Sequence, residues 1–175
     1  SAVGFSSMDQ NVSHQAKWKK SVSEVYEAYH TRRDWTPTLV ETCQEAGIHF
    51  MTTPYDLEAI DEFSGIVPAY KIGSGDITWI EMLRYVSKLG KPIFIATGAS
   101  DMNDVIRAMD VFSNIEESIC LMQCNTNYTT DKDKYKFVNL NVLKLYKEKF
   151  LFEDNFSSKF KCIEDLFKSK AKYSK

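Results

Sequence analysis

A chain of 175 residues is long enough for one domain with a substantial core, and 43% hydrophobic and 26% charged residues are an ordinary globular composition. The formal net charge of −2 argues against nucleic acid or a membrane surface as a partner. No apolar run approaches membrane-spanning length, and residues 1–5 lack the pattern of a signal peptide, so a cytoplasmic location is predicted.

Histidine and cysteine positions predict no metal site. His14, His30 and His49 are scattered along the chain, and Cys120 and Cys124 lie four residues apart without a second close pair to complete a zinc pattern. Cysteines in this pattern are typical of buried free thiols in a reducing compartment.

The N-terminal part of the chain, residues 1–34, is polar and irregular, with one short helix predicted around 22–29. The next helix has a clearer start, because Thr36 can cap it and Pro37 suits its first position, and a glycine ends it. The apolar stretch at 48–52 then predicts the first strand.

Helices and strands are predicted to alternate along the rest of the chain. The helices fall at about 56–63, 78–90, 100–112 and 138–150, and the strands at 69–72, 93–96 and 119–123. Thr78 and Glu81 form a capping-box pattern for the second of these helices, and Ser100 can cap the third. Even spacing of strand, helix and strand predicts parallel pairing through right-handed crossovers.

The predicted fold class is therefore α/β, with about four parallel strands. An open doubly wound sheet and a (β/α)8 barrel both fit this order. The open sheet has less support, because the glycine-rich segment at 73–75 lacks the third glycine of a dinucleotide-binding turn. The expected architecture is a partial (β/α)8 TIM barrel, since a complete barrel needs eight strands.

Ligands of either architecture bind at the C-terminal ends of the strands. Here those ends supply hydroxyls, amides and one cation, with no carboxylate before Asp76. The residues are Thr52 and Thr53, Lys71 with Gly73, Ser74 and Gly75, Thr97 and Gly98, and Asn125, Thr126, Asn127 and Tyr128. Such a set predicts a site for a phosphorylated, anionic small molecule.

Each candidate also has a structural interpretation. Lys71 could extend from a strand end to water, although glycines on either side of Ser74 are costly in a strand that no ligand approaches. Ser74 taken alone could be a turn residue, Thr97 the start of a loop, and Tyr128 a core aromatic.

Five segments together resemble the N-terminal domain of the sialic acid synthase (N-acetylneuraminate synthase) family in order and spacing. They are Phe-Met-Thr-Thr-Pro-Tyr-Asp at 50–56, Val-Pro-Ala-Tyr-Lys-Ile-Gly-Ser-Gly-Asp at 67–76, Gly-Lys-Pro-Ile at 90–93, Ala-Thr-Gly-Ala-Ser at 96–100 and Gln-Cys-Asn-Thr-Asn-Tyr-Thr at 123–129. The resemblance covers about residues 13–150, and the predicted strands match family strands three to six.

The resemblance implies an enzyme that condenses phosphoenolpyruvate with N-acetylmannosamine or a related sugar and releases phosphate. The family uses a divalent cation, manganese or magnesium. Matched position by position, the residues implied to contact phosphoenolpyruvate are Thr53, Lys71, Ser74 and Thr97, and those implied to face the sugar are Asn125, Thr126 and Tyr128. Lys71 and Tyr128 are the implied catalytic residues.

The chain also departs from the family pattern. Ala96 stands where many members have serine, which removes one hydroxyl from the anion site. The family's first two strands and its later histidine strands, which supply metal ligands, have no counterpart, so this chain is expected to be incomplete for catalysis. The expected organisation is an irregular segment at 1–34, a partial barrel at 35–150 and a divergent tail at 151–175.

The tail is rich in phenylalanine and lysine. Residues 131–175 carry 12 Lys against seven Asp or Glu, and one apolar stripe has helical spacing, formed by Phe156, Phe160, Ile163 and Phe167. The tail could be solvated or could cover a sheet edge. Because a half barrel has two open edges, self-association is expected.

Two other functions are open at this point. The chain could be a non-catalytic remnant that acts as an anion-binding or protein-interaction module. Alternatively, Lys71 could form a Schiff base, as in class I aldolases. The lack of a clear acid or base beside Lys71 argues against the second alternative, and Ser74 suits phosphate better.

Overall fold

The computed structural model describes residues 18–115, 118–126 and 132–151. The chain divides into two compact units, residues 1–46 and 47–175. Tyr128 and almost all of the predicted tail at 151–175 lie outside the described residues.

The described residues of the first unit, 18–46, form two α-helices. Helix α1, Val22–Tyr29, opens with a capping box in which the Ser21 side chain accepts from the Glu24 backbone and the Glu24 side chain accepts from the Ser21 backbone. Helix α2, Thr36–Glu45, follows a short 3-10 helix and has Pro37 in its first turn. Thr36 is the first residue of α2 and Trp35 occupies the cap position, so the predicted threonine cap is wrong by one residue.

The second unit contains a parallel sheet, as predicted. Strands β1, Tyr70–Ile72, β2, Ile93–Ala96, and β3, Ile119–Met122, pair in the order β1-β2-β3. Both pairings are parallel. The α/β class and these three strands are therefore confirmed.

The described residues of the second unit form four α-helices, α3 at Leu57–Phe63, α4 at Ile80–Val86, α5 at Met102–Val111 and α6 at Val142–Leu151, and a 3-10 helix at Lys132–Phe137. Asp56 caps α3 by accepting from the Ala59 backbone at 2.6 Å, and Asp101 caps α5. Two predicted caps are wrong. Asp101, one residue after Ser100, caps α5, and α4 starts after Trp79 without a side-chain cap.

The two faces of the sheet differ. One face carries fully buried aliphatic and aromatic residues that join α3, α4, α5 and α6 in one hydrophobic core; its strand members are Tyr70, Ile72, Ile93, Ile95, Ile119 and Leu121. Because side chains alternate along a strand, Lys71, Phe94 and Cys120, which pair in register, lie on the other face. In a barrel that second face is the inner one.

The first predicted strand, at 48–52, is not formed. Residues 48–54 have no regular secondary structure, and the sheet of the described residues has three strands. Ile48 is 62% exposed and Met51 41% exposed, so the apolar run is not buried as a central strand would be. Phe50 instead holds the segment by packing on Phe63, with ring centroids 6.3 Å apart. An apolar sequence is not sufficient for a strand, because the backbone must also pair with a neighbouring strand.

Lys91 stabilises the end of the sheet at which the strands begin. Its ammonium donates to the backbone carbonyls of Ser64 and Val67, the latter at 2.5 Å, and lies 5.8 Å from the centroid of the Tyr70 ring. These contacts join the start of β2 to the loop that leaves α3. Lys91 is therefore a structural lysine at the end of the sheet remote from the predicted ligand site.

Candidate functional site

The C-terminal ends of the three strands meet at one edge of the sheet, because the strands are parallel. The segments that follow them, residues 73–79, 97–101 and 123–126, form this edge, which we call the anion edge. Most of the candidate residues of the sequence lie on it. The hydrogen bonds and burial at this edge indicate which candidate residues are available to a ligand.

Ser74 and Gly98 join the ends of β1 and β2. The Gly98 backbone N–H donates to the Ser74 hydroxyl oxygen at 3.1 Å. An N–H group can only donate, so the Ser74 oxygen is the acceptor and its own proton is left for another partner. Ser74 is thus a hydroxyl donor whose position is set by the neighbouring strand end.

Gly98 also lies against the segment that follows β3. A Cβ added at Gly98 would lie 2.6 Å from the Thr126 methyl carbon, 2.9 Å from the Cys124 carbonyl oxygen and 2.9 Å from the Ser74 hydroxyl oxygen. Three strand ends therefore converge on a position where only glycine fits. The sequence suggested that Gly98 lets the backbone approach an anion. The structure adds a second reason for a glycine, the close packing of the three strand ends around it.

Thr53 reaches the same edge although its predicted strand is missing. A Cβ on Gly73 would lie 3.7 Å from the Thr53 methyl carbon and 3.0 Å from the Asp76 carboxylate oxygen. Thr53 and Asp76 consequently flank the glycine that follows β1. The predicted grouping of Thr53 with Ser74 is compatible with this geometry.

Asp76 is a feature that sequence reasoning did not assign to the site. The backbone turns back at this point, since the Asp76 N–H donates to the Gly73 carbonyl at 3.0 Å. The side chain is partly buried, and this burial raises the pKa of the Asp76 carboxyl above its ordinary value. A carboxyl in such surroundings can hold a proton more readily than one in water. The sequence signal that could have assigned Asp76 to the site is its position three residues after Gly73, the glycine that follows β1.

Lys71 lies on the second face of the sheet, level with Phe94 and Cys120. Its side chain is half-buried, and within the described part of the chain it makes no hydrogen bond or ion pair. A half-buried ammonium without a counter-charge is a favourable contact for an anion.

Thr97 differs from the other candidates because it is buried, with 6% of its surface exposed. Both its N–H and its hydroxyl donate to the Met122 carbonyl, at 3.0 and 3.1 Å. Its hydroxyl oxygen also accepts from the Tyr146 hydroxyl at 3.0 Å. Neither donor of Thr97 is left for a ligand, which favours a structural role in holding the edge.

Asn125 and Thr126 follow β3 and are exposed at the edge, where the Thr126 methyl group covers Gly98. Tyr128 lies outside the described residues. No group of three or more His, Cys, Asp or Glu side chains able to hold a metal occurs among the residues described, so this part of the chain does not fit a divalent cation. Within the same residues, no helix is long and apolar enough to cross a bilayer.

A model of the NeuB family matches residues 4–161. The chain belongs to the NeuB family. Its relatives include an uncharacterized protein of Methanocaldococcus jannaschii, 35% identical over 134 residues, which are 75% of this chain and 39% of that protein. The N,N'-diacetyllegionaminic acid synthase of Campylobacter jejuni is 28% identical over 123 residues, covering 68% of this chain and 36% of the synthase. The NeuB chain described here therefore spans well under half the length of these relatives.

Solved structures show the same fold. The N-acetylneuraminic acid (sialic acid) synthetase of Leptospira borgpetersenii serovar Hardjo-bovis, solved in complex with citrate, superposes with a TM-score of 0.69 at 20% identity. The match covers 81% of this chain and 46% of the synthetase. The predicted family and the predicted class, part of a sialic acid synthase-type barrel, are confirmed for this NeuB chain.

Proposed function

We propose that this chain forms the phosphoenolpyruvate-binding part of an enzyme that condenses phosphoenolpyruvate with N-acetylmannosamine or a related amino sugar. The product would be a nonulosonic acid, with release of phosphate. The observation that carries the proposal is a pair of donors among the described residues: the Ser74 hydroxyl, held by Gly98 at the anion edge with its proton free, and Lys71 on the second face of the sheet, which lacks a counter-charge.

The chemistry of the edge suits a doubly anionic ligand. Phosphoenolpyruvate carries a phosphate and a carboxylate, and each needs charge-assisted or hydroxyl donors. In the proposal, Lys71 and Ser74 contact the anionic groups of the ligand and Thr53 adds a hydroxyl beside Gly73. Thr97 contributes indirectly, by holding the strand end that carries Gly98.

The named relatives support a sugar acid synthase rather than another barrel enzyme. A Campylobacter jejuni relative is a diacetyllegionaminic acid synthase, and a structural neighbour is a sialic acid synthetase. In the proposal, Asn125 and Thr126 face the sugar from the exposed segment after β3, together with Tyr128. Lys71 and Tyr128 are the proposed catalytic residues, with the Lys71 charge favouring the departure of phosphate.

The family's divalent cation, manganese or magnesium, would activate the sugar aldehyde when bound. The described residues hold no group of three or more His, Cys, Asp or Glu side chains that would bind it. We infer that the 175-residue chain by itself binds phosphoenolpyruvate without turning it over, and that metal ligands come from elsewhere.

Titration of the chain with phosphoenolpyruvate, followed by NMR, tests the proposal. Two or three charge-assisted contacts, less the ordering cost of binding, leave an affinity on the order of millimolar. We expect shifts of the Ser74 and Gly98 amides that saturate and weaken with salt. Lys71→Ala should abolish them.

Lys91→Ala is the matched control, because it removes one lysine from the opposite end of the same sheet. Equal loss in both variants, measured on the folded fraction of each, would show that the attraction is only general charge. No shift in the parent chain at tens of millimolar phosphoenolpyruvate would overturn the proposed function.

A second candidate function, an anion-binding module without catalysis, is favoured by the composition of the edge. Ala96 supplies no hydroxyl, and both donors of Thr97 are used within the protein. This candidate predicts that inorganic phosphate binds as tightly as phosphoenolpyruvate. The enzyme proposal predicts tighter binding of phosphoenolpyruvate, because its carboxylate makes contacts that phosphate cannot.

A further inference from the structure

Tyr146 of α6 is linked to the anion edge by two consecutive hydrogen bonds. Its side chain is 3% exposed, and its hydroxyl donates to the Thr97 hydroxyl oxygen at 3.0 Å. Thr97 in turn donates to the Met122 carbonyl at 3.1 Å. Residues 49 positions apart in sequence thus meet at the end of β2.

The donor and the acceptor of each of these two hydrogen bonds follow from the chemistry of the groups involved. The Met122 carbonyl can only accept, so the single hydroxyl proton of Thr97 is directed to it. Tyr146 must therefore be the donor in its bond with Thr97. The Thr97 side chain is held from both sides, and the next residue along the backbone is Gly98.

We infer that Tyr146 is a positioning residue for the anion edge. Through Thr97 it fixes the strand end that presents the Gly98 N–H to Ser74, and so it sets where the Ser74 hydroxyl stands. The inference rests on the proposed function, because the position of Ser74 matters for a ligand only if the edge binds an anion.

The ring and the hydroxyl of Tyr146 have separate roles. The ring packs in the core beside Phe150, with centroids 6.4 Å apart, and a phenylalanine ring would fill the same space. The hydroxyl finds its partner at the C-terminal end of a neighbouring strand instead of on its own helix. The two roles can therefore be tested independently.

Tyr146→Phe, studied in the full 175-residue chain, removes the hydroxyl and keeps the ring. We expect the dissociation constant for phosphoenolpyruvate, measured by NMR titration, to rise by about three- to tenfold, the effect of losing one ordering hydrogen bond. We also expect faster hydrogen exchange of the Gly98 amide without ligand, while the Ile95 amide keeps its exchange rate. A purely packing role would change neither the affinity nor the Gly98 exchange.

Tyr85→Phe is the matched control, since it removes a tyrosine hydroxyl that donates to Asp61 in an exposed pair outside the edge. It should leave affinity and Gly98 exchange unchanged. If the parent chain binds and Tyr146→Phe binds within twofold of it, the inference is overturned.

Two further outcomes are also decisive. If the parent does not bind phosphoenolpyruvate, the proposed function fails, and Gly98 exchange alone then decides the inference: unchanged exchange in Tyr146→Phe refutes it. If Tyr146→Phe does not fold, Tyr146→Phe combined with Thr97→Val removes both hydroxyls and leaves no unpaired group. The double variant should show the same loss of affinity and of Gly98 protection, and normal values would refute the inference.

Discussion

The Gly98 backbone N–H donates to the Ser74 hydroxyl at 3.1 Å, and this bond joins the ends of two neighbouring strands. It makes one geometric unit of two candidate segments that are 24 residues apart in sequence. A side chain at Gly98 would crowd this bond, since a Cβ there would lie 2.9 Å from the Ser74 oxygen. The geometry of the anion edge therefore depends on the absence of a side chain at Gly98.

Gly98→Ala should accordingly remove phosphoenolpyruvate binding. The new methyl group would lie 2.9 Å from the Cys124 carbonyl, which is backbone and cannot turn away. The strand ends must separate, with a loss of about 1–3 kcal/mol in the free energy of unfolding. NMR titration and urea unfolding measure the two effects.

Gly65→Ala is the control for that substitution, because no atom lies within 4 Å of a Cβ placed there. It should change neither binding nor stability by a comparable amount. A Gly98→Ala chain that binds like the parent would contradict the assignment of the edge.

Much of this arrangement was predictable from local sequence. The parallel strands β1 to β3 follow from apolar runs separated by helices, and parallel strands place Ser74, Gly98 and Thr126 at one edge. Three features were not predictable in this way. The segment at 48–52 has strand-like composition, but a strand also needs a ladder partner. Both Thr97 donors are used by the Met122 carbonyl, and the Thr97 hydroxyl oxygen accepts from Tyr146; both partners are distant in sequence. The raised pKa of Asp76 depends on burial, which a strand-end motif does not report.

Lys91 provides a test of stability that is separate from binding. Lys91→Met removes two donors from the backbone carbonyls of Ser64 and Val67, and Val67 is buried. We expect a loss of about 1–3 kcal/mol in the free energy of unfolding in urea. Phosphoenolpyruvate binding by the folded fraction should not change, because Lys91 and Gly98 lie at opposite ends of β2.

Lys88→Met is the control for Lys91→Met, since Lys88 is exposed and its side chain makes no hydrogen bond or ion pair within the described residues. Its effect on unfolding should be small. Equal destabilisation by the two variants would show that the Lys91 contacts contribute no more than surface charge.

The purified 175-residue chain should not convert phosphoenolpyruvate and N-acetylmannosamine to product. The described residues offer no trio of metal ligands, and the three histidines of the sequence are at positions 14, 30 and 49 without ligand spacing. Phosphate release and product formation with added manganese are the measurements. A full-length synthase of the family, assayed with its own sugar, is the positive control. Manganese-dependent turnover by the chain alone would refute this expectation.

Asp76 should make the stability of the fold depend on pH in an unusual direction for a carboxylate. Burial raises its pKa in the folded state, so the folded chain binds this proton more tightly than the unfolded chain does. The free energy of unfolding therefore falls as pH rises from the unfolded pKa, near 3.8, through the higher folded pKa. Above that window the charged, partly buried carboxylate destabilises the folded state.

Asp76→Asn removes that charge and so should be more stable than the parent chain at pH 7. The difference should shrink as pH falls toward about 4, where the parent carboxyl becomes protonated in both states. Urea unfolding of both chains between pH 4 and pH 8 measures it, and Asp110→Asn, at an exposed position of α5, controls for the loss of one negative charge. A parent chain that is the more stable of the pair at pH 7 would mean that the Asp76 carboxylate stabilises the fold, and that burial is not what governs it.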